Sequence, residues 1–327
     1  MKKRNAVVVL LPLLLITLLV GWACSRFTSP PSKTGAPSAT TTDAPQPKWV
    51  GPPPGAKYVG SESCVKCHEE STQRFHKTKI GRVMSVNPRA TQGQGDCESC
   101  HGPGGPHVAT EGGALETVIS FEKGAEPVEV QNAVCVKCHE KGEHTFWKGS
   151  THEVRGVACV SCHKVMESVS DRYNLAKPTA IEVCSQCHQT RRAQLQRSSH
   201  MPLREGKISC GDCHNPHGTA TQAMLREDSV NDNCFKCHAE KRGPFLWEHA
   251  PVTESCSNCH EPHGSTNERL LKVRVPRLCQ QCHVETRHPT SPYDPRTGSR
   301  FVINRGCINC HQKIHGSNHP SGFAFTN

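Results

Sequence analysis

The chain has 327 residues, of which 35% are hydrophobic and 5% aromatic, with 21 cysteines, 26 glycines and 24 prolines. A typical globular domain carries roughly 45–50% apolar residues, so a large core of packed helices or sheets is excluded. The formal charge of +10 would by itself suggest nucleic acid or an anionic surface as partner. With 21 histidines beside the cysteines, however, the composition points to covalent or metal chemistry on a repeated pattern.

The amino terminus reads as an export signal. Met1-Lys2-Lys3-Arg4 is a basic start, Ala6–Val20 is a 15-residue apolar region, and Gly21-Trp22-Ala23 closes residues 1–23. The alternative is an uncleaved anchor, since the apolar stretch approaches the short limit for a membrane span. Cys24 is a candidate lipidation site: it sits where a bacterial lipoprotein is cleaved and acylated, although Gly21 and Trp22 replace the usual leucine and small residue. Residues 24–57, rich in Ser, Thr, Pro and Ala, read as a disordered tether. The mature protein is expected outside the cytoplasm.

From Cys64 onward one pentapeptide, C-x-x-C-H, recurs ten times. Its paired thiols are Cys64/Cys67, Cys97/Cys100, Cys135/Cys138, Cys159/Cys162, Cys184/Cys187, Cys210/Cys213, Cys234/Cys237, Cys256/Cys259, Cys279/Cys282 and Cys307/Cys310. The histidines that follow are His68, His101, His139, His163, His188, His214, His238, His260, His283 and His311. Two thiols three positions apart can bond the two vinyl groups of one haem, and the next histidine then lies beneath the iron as proximal ligand. Zinc knuckles and disulfides also use paired cysteines, but neither requires a histidine directly after every second cysteine. Ten c-type haems are therefore expected, with the polypeptide a thin wrapping around them. The fold class is a multihaem cytochrome c: mostly coil with short α-helices and little or no sheet. Ten haems add about 20 propionates and, when ferric, about ten positive charges, bringing the oxidised protein near neutrality. Lysine and arginine then neutralise propionates, and nucleic acid is not an expected partner.

Each iron has a second face. Eleven histidines remain, and consecutive pairs of motifs hold two each: His76 and His107, His144 and His152, His200 and His217, His249 and His263, His288 and His315, with His319 left over. The first ten are candidate distal ligands. The modules CGDCHNPHG (Cys210–Gly218) and CSNCHEPHG (Cys256–Gly264), and the longer CINCHQKIHG (Cys307–Gly316), support a common plan. A histidine three residues past a proximal ligand reaches a neighbouring haem more readily than the far face of its own; which histidine meets which iron stays open. Met84, Met166, Met201 and Met224 could supply His/Met ligation, but with histidine in surplus they are expected to pack. Distal candidates exceed haems and no nucleotide fingerprint is present, so the expected role is electron transfer, with no catalytic residues assigned. The alternative is a multihaem oxidoreductase with one open catalytic haem.

The ten motifs, the two CHxPHG modules, KRGPFLWEHAPV (Lys241–Val252), LCQQCH (Leu278–His283) and IHGSNHPSG (Ile314–Gly322) give a chain that resembles the MtrA/DmsE family of periplasmic decahaem cytochromes. The resemblance spans about Tyr58 to Gly322. It implies two pentahaem halves, 58–189 and 190–327, with bis-histidine ligation along an elongated haem chain. It also implies insertion into an outer-membrane β-barrel porin. Donors would be an inner-membrane quinol dehydrogenase or small periplasmic cytochromes; acceptors would be a cell-surface multihaem cytochrome, a surface reductase or metal oxides. The lipid anchor and tether would be a departure. The basic stretch Thr190–Arg197 between the halves reads as a solvated helix face or, second, a propionate partner.

Overall fold

The computed structural model describes residues 49–86, 96–283 and 306–326. The export signal, Cys24 and His288 lie outside the described residues. All described residues belong to one unit, 47–327. It is coil punctuated by short helices, and among the described residues β pairing is confined to isolated bridges. None of the described helices is long and apolar enough to cross a membrane.

Each motif is one closed helical turn. In motifs 3 to 10 the histidine amide donates to the carbonyl of the first cysteine four residues back, as His139 to Cys135 at 2.9 Å and His260 to Cys256 at 3.0 Å. That bond puts both thiols and the imidazole on one side of the turn. Odd motifs start in α-helices such as Val128–Val136, Ala180–Cys184 and Val230–Phe235. Thr179 and Ser229 cap the last two, each accepting from the amide three residues on. Motifs 4, 6, 8 and 10 start in single 3-10 turns: Cys159–Ser161, Cys210–Asp212, Cys256–Asn258 and Cys307–Asn309.

These four even motifs share a plan. After the histidine the chain turns back through residues with positive φ, Tyr173-Asn174, Ala223-Met224, Arg269-Leu270 and Phe325. In the first three modules a bridge pairs the histidine with a leucine: His163 with Leu175, His214 with Leu225, His260 with Leu271. The glycine that ends each PHG or IHG is where the module meets an earlier segment. Gly264 has φ +137°, and a Cβ there would lie 2.1 Å from the Gln194 carbonyl oxygen; Gly218 would meet the Phe146 carbonyl at 2.2 Å. No side chain fits either place.

Apolar packing is sparse. The buried apolar side chains among the described residues are Phe75, Val134, Ala158, Val183 and Leu195. Glu98, also buried, holds the start of the unit by accepting from the Val59, Gly60 and Gly104 amides, Gly60 and Gly104 at 2.8 Å. The end of the expected tether is already tied down, since Lys57 accepts from the Gly105 amide at 3.0 Å and Val50 donates to Glu116 at 3.3 Å. The stretch expected as a solvated basic face is only partly so: Arg191 and Arg192 are exposed, but Gln194 and Leu195 are buried and Arg197 donates to Gly264 at 3.0 Å.

Gly264→Ala forces a β-carbon into both a strained φ and the Gln194 carbonyl. It is expected to destabilise the haem-loaded protein by ~2 kcal/mol or more, read as a lowered midpoint in thermal unfolding, whereas Gly206→Ala, with open space around it, costs ~1 kcal/mol.

Candidate haem sites

The thiols form an unbroken series. First cysteines meet within consecutive pairs of motifs, Cys64 with Cys97, Cys135 with Cys159, Cys184 with Cys210, Cys234 with Cys256 and Cys279 with Cys307, each hydrogen-bonded. Between pairs the second cysteines approach: Cys100 feels Cys135 and Cys138, Cys162 feels Cys187, Cys213 feels Cys237, and Cys259 feels Cys282. Five junctions are thus thiol-to-thiol contacts and the other four are electrostatic neighbours, so attachment points follow one another in chain order. As free thiols these groups diverge: burial lifts Cys100 to about 11, and burial with Cys256 alongside lifts Cys234 to about 12, whereas the hydrogen bond from Cys184 lowers Cys210 to about 7.

The attachment cysteines differ in exposure. The second cysteines of the odd motifs, Cys67, Cys138, Cys187, Cys237 and Cys282, are exposed, whereas those of even motifs 2, 4, 6 and 8 are half-buried. Cys310 breaks the even pattern and is exposed as well. Cys67 and Cys310 are the second thiols of the first and last motifs. Both remain well placed for attachment, since each lies on the same closed turn as its first cysteine and proximal histidine, and His311 donates to the Cys307 carbonyl at 2.9 Å.

Amide side chains fix two of these junctions. Asn132 accepts from the Cys159 amide at 2.8 Å and donates to the Val157 carbonyl at 3.1 Å. Asn231 accepts from the Cys256 amide at 2.6 Å and donates to Val252 at 3.0 Å and Thr253 at 3.1 Å. The first cysteine of one motif is thereby tied to the helix that carries the preceding one. Sequence reasoning missed these residues; the repeated spacing of Asn three before the first cysteine (Asn132-Ala-Val-Cys135, Asn231-Asp-Asn-Cys234) was the available signal.

Proximal histidines of even motifs are aimed by backbone. The Nδ1 of His101 donates to the Ile119 carbonyl at 2.7 Å, His163 to Tyr173 at 2.8 Å, His214 to Ala223 at 2.9 Å, His260 to Arg269 at 2.8 Å and His311 to Ala324 at 2.6 Å. Each bond engages Nδ1, which makes Nε2 the metal-binding nitrogen and strengthens it as a donor to iron.

Six proximal rings face a second imidazole. Ring centres are 6.3 Å apart for His68 and His107, 6.0 Å for His163 and His217, 6.2 Å for His188 and His152, 6.2 Å for His214 and His263, 6.3 Å for His260 and His315, and 6.1 Å for His283 and His249. A metal bonded to both rings at about 2 Å, with each ring centre about 1 Å beyond its nitrogen, sets the centres about 6 Å apart. The residues present therefore fit an iron held between two imidazoles. Among the described residues no three His, Cys, Asp or Glu side chains converge on one point, the arrangement a bare zinc ion takes.

The facing histidines cross between pairs of motifs. His107 faces a proximal ring of its own pair, and His144 lies near His139 of its own pair; His152, His217, His249, His263 and His315 each face one in the adjacent pair. The even distribution along the sequence is therefore not the distribution in space. Carbonyls orient several of them, Pro216 accepting from His152 at 2.7 Å and Ile314 from His249 at 3.1 Å. Burial lowers the pKa of His249, His263 and His315, and takes His217 down to about 4. The neutral, metal-binding imidazole is favoured in each case.

The remaining candidates stand differently. His144 lies 4.0 Å, centre to centre, from His217 and 5.6 Å from His139, tilted by 51° to the latter. The Nε2 of His76 is 3.4 Å from Asp96, and that of His200 is 3.1 Å from Glu205, which raises the His200 pKa. His319 accepts from the Ser321 amide at 3.2 Å through its ring, and its carbonyl accepts from the Trp247 indole at 2.9 Å.

Known proteins carry the same pattern. Multiheme cytochrome MtrA of Shewanella baltica (strain OS185) is 44% identical over 271 residues, covering 80% of each chain. The chain belongs to the MtrA family of multihaem cytochromes. Residues 200–243 and 249–288 each match the doubled CXXCH motif, and residues 97–187 match the NrfB-like family of cytochrome c-type proteins. Cytochrome c-type protein NrfB of Escherichia coli O6:H1 is 31% identical over 132 residues, covering 40% of this chain and 66% of that one. This MtrA-family chain is thus a c-type multihaem cytochrome, and its work is electron transfer.

His263→Ala removes the ring opposite His214. One haem per chain is expected to become high-spin in the ferric protein and to take up one carbon monoxide when reduced, whereas His319→Ala leaves both measurements unchanged.

Proposed function

We propose that the chain holds ten c-type haems, one on each motif, and passes electrons along them in chain order between the periplasm and the outside of the cell. The observation that supports this is the series of neighbouring thiols across all nine junctions, in contact within pairs of motifs and within electrostatic reach between them, which runs in chain order. Haems so joined need no mobile carrier. The facing imidazoles close the irons to substrates, so the cofactors exchange electrons without bond chemistry.

The basic start and apolar run at the amino terminus support export, and Cys24 with its tether supports retention at a membrane surface. Within that setting the chain serves as the haem-bearing part of a conduit seated in an outer-membrane β-barrel porin. Inner-membrane quinol dehydrogenases or small periplasmic cytochromes are the donors, and a cell-surface multihaem cytochrome or reductase is the acceptor.

Two measurements test this. A pyridine haemochrome assay on the exported protein is expected to give ten haems per chain; substantial zinc, or fewer than ten, overturns the cofactor reading. Vesicles bearing the full-length cytochrome with its cognate outer-membrane barrel, and loaded with reduced viologen, are expected to bleach when an impermeant ferric chelate is added outside. Vesicles with the barrel alone should keep their colour, and equal bleaching of the two defeats the conduit.

A further inference from the structure

The loop between motifs 2 and 3 is built around one peptide unit. Its carbonyl belongs to Ile119 and accepts from Nδ1 of His101 at 2.7 Å; its amide belongs to Ser120 and donates to the Glu126 carboxylate at 2.9 Å. A buried carboxylate and a proximal imidazole thus stand at the two ends of a single planar amide. The loop is held at that place from both sides. The Ile119 amide donates to the His101 carbonyl at 3.0 Å, and the Phe121 ring meets the His101 ring edge-on, with centres 5.5 Å apart.

Glu126 has little other employment for its charge. Only 6% of its surface is exposed. Oε1 takes the Ser120 amide, while Oε2 is buried without a hydrogen-bond partner among the described residues. A buried carboxylate so sparsely paired is costly, and its presence asks for a role beyond packing. The residue stands two positions before the helix Val128–Val136, whose unpaired first amides favour negative charge. Its own carbonyl accepts from the Gln131 side chain of that helix at 3.3 Å.

In motifs 8 and 10 the corresponding peptide ends on a neutral group. His260 donates to the Arg269 carbonyl, and the Leu270 amide of that peptide donates to the Ser199 hydroxyl at 2.9 Å. His311 donates to the Ala324 carbonyl, and the Phe325 amide donates to the Gly322 carbonyl at 2.8 Å. The device is common to these motifs; the charge behind it belongs to motif 2.

We propose that Glu126 is a positioning residue for the haem on motif 2, acting on His101 through the Ile119–Ser120 peptide and lowering the potential of that haem. The proposal rests on the reading of the motifs as haem sites. Hydrogen bonds in a chain polarise one another, so a carboxylate at the amide end makes the carbonyl a stronger acceptor. The carbonyl then draws harder on Nδ1–H, the ring gains electron density at Nε2, and the ferric state is favoured. The buried negative charge acts in the same direction. Motif 2 becomes a site that electrons cross without settling, near the amino-terminal end of the string.

The test is a redox titration of the full-length haem-loaded protein carrying Glu126→Gln, which keeps an acceptor oxygen and removes the charge. One-tenth of the absorbance change is expected to move to higher potential by about 59 mV, equivalent to a ~10-fold gain in that haem's affinity for its electron. Ten haems should be retained, all low-spin. Glu122→Gln neutralises an exposed carboxylate of the same loop and should leave the titration as it is in the native protein. In a Cys97→Ala/Cys100→Ala background, which lacks the motif 2 haem, Glu126→Gln should move none of the nine that remain. An unchanged titration in Glu126→Gln overturns the proposal, as does an equal shift in Glu122→Gln or a shift that persists in the nine-haem background. Loss of a haem, or a new high-spin one, in Glu126→Gln makes the residue structural alone and overturns it too. Fewer than ten haems in the native protein overturns the haem reading itself, a failure distinct from these.

Discussion

When the amide of a motif histidine bonds to the carbonyl of the first motif cysteine, two thiols and an imidazole spread over five residues come to lie on one face. That turn is short enough to form almost anywhere, either at the end of a capped helix such as Ala180–Cys184 or as a lone 3-10 turn such as Cys210–Asp212. The chain can therefore repeat it at close intervals without building long helices. Everything between the turns has one task, which is to bring the next turn edge to edge with the last. Asn132 and Asn231 do this most directly, because each bonds the first cysteine amide of the following motif.

A chain organised this way has little reason to bury its own side chains. Phe75, Val134, Ala158, Val183 and Leu195 are scattered along the sequence and do not amount to a core. Buried polar groups take up part of the burden, notably Glu98 with its three backbone amides, Asn132 and Asn231. The covalently held cofactors supply the missing apolar volume, so folding free energy and cofactor attachment are coupled, as they are for other domains organised around a metal centre.

Much of this was legible in the motifs themselves. Spacing fixed the chemistry of each turn, and the scarcity of apolar residues excluded a large core of packed helices or sheets. The recurrence of PHG marked the modules, but its glycine could be understood only once Gly264 was seen against the Gln194 carbonyl. The facing of histidines could not be read at all. His217 is three residues from His214 yet looks at His163, because the module folds back onto a segment laid down two motifs earlier. Local spacing carries no record of such a return. The same holds for Arg197, which reads as a solvated charge and instead donates to Gly264. Nor do ten identical pentapeptides disclose that Cys310 is exposed where Cys259 is half-buried, because that difference comes from a neighbouring turn and not from the motif.

The crossing of histidines between pairs bears on how the molecule holds together. The proximal rings of motifs 4, 6 and 8 are faced by a ring from the module two motifs on, and those of motifs 5 and 9 by a ring from the segment before the preceding motif. His152 caps towards His188, while its own Nδ1 is oriented by Pro216, so a single imidazole joins the segment before motif 4 to modules 5 and 6. Asn215 donates to the Glu143 carbonyl at 2.8 Å and Arg226 pairs with the Glu143 carboxylate at 2.9 Å, both across residue 190. Links of this kind make adjacent cofactor sites share partners, and sites that share partners do not lose stability independently. The junction near Thr190 is thus stitched by the same devices that join any two neighbouring motifs, and an electron path through it meets no change in the way the protein is built.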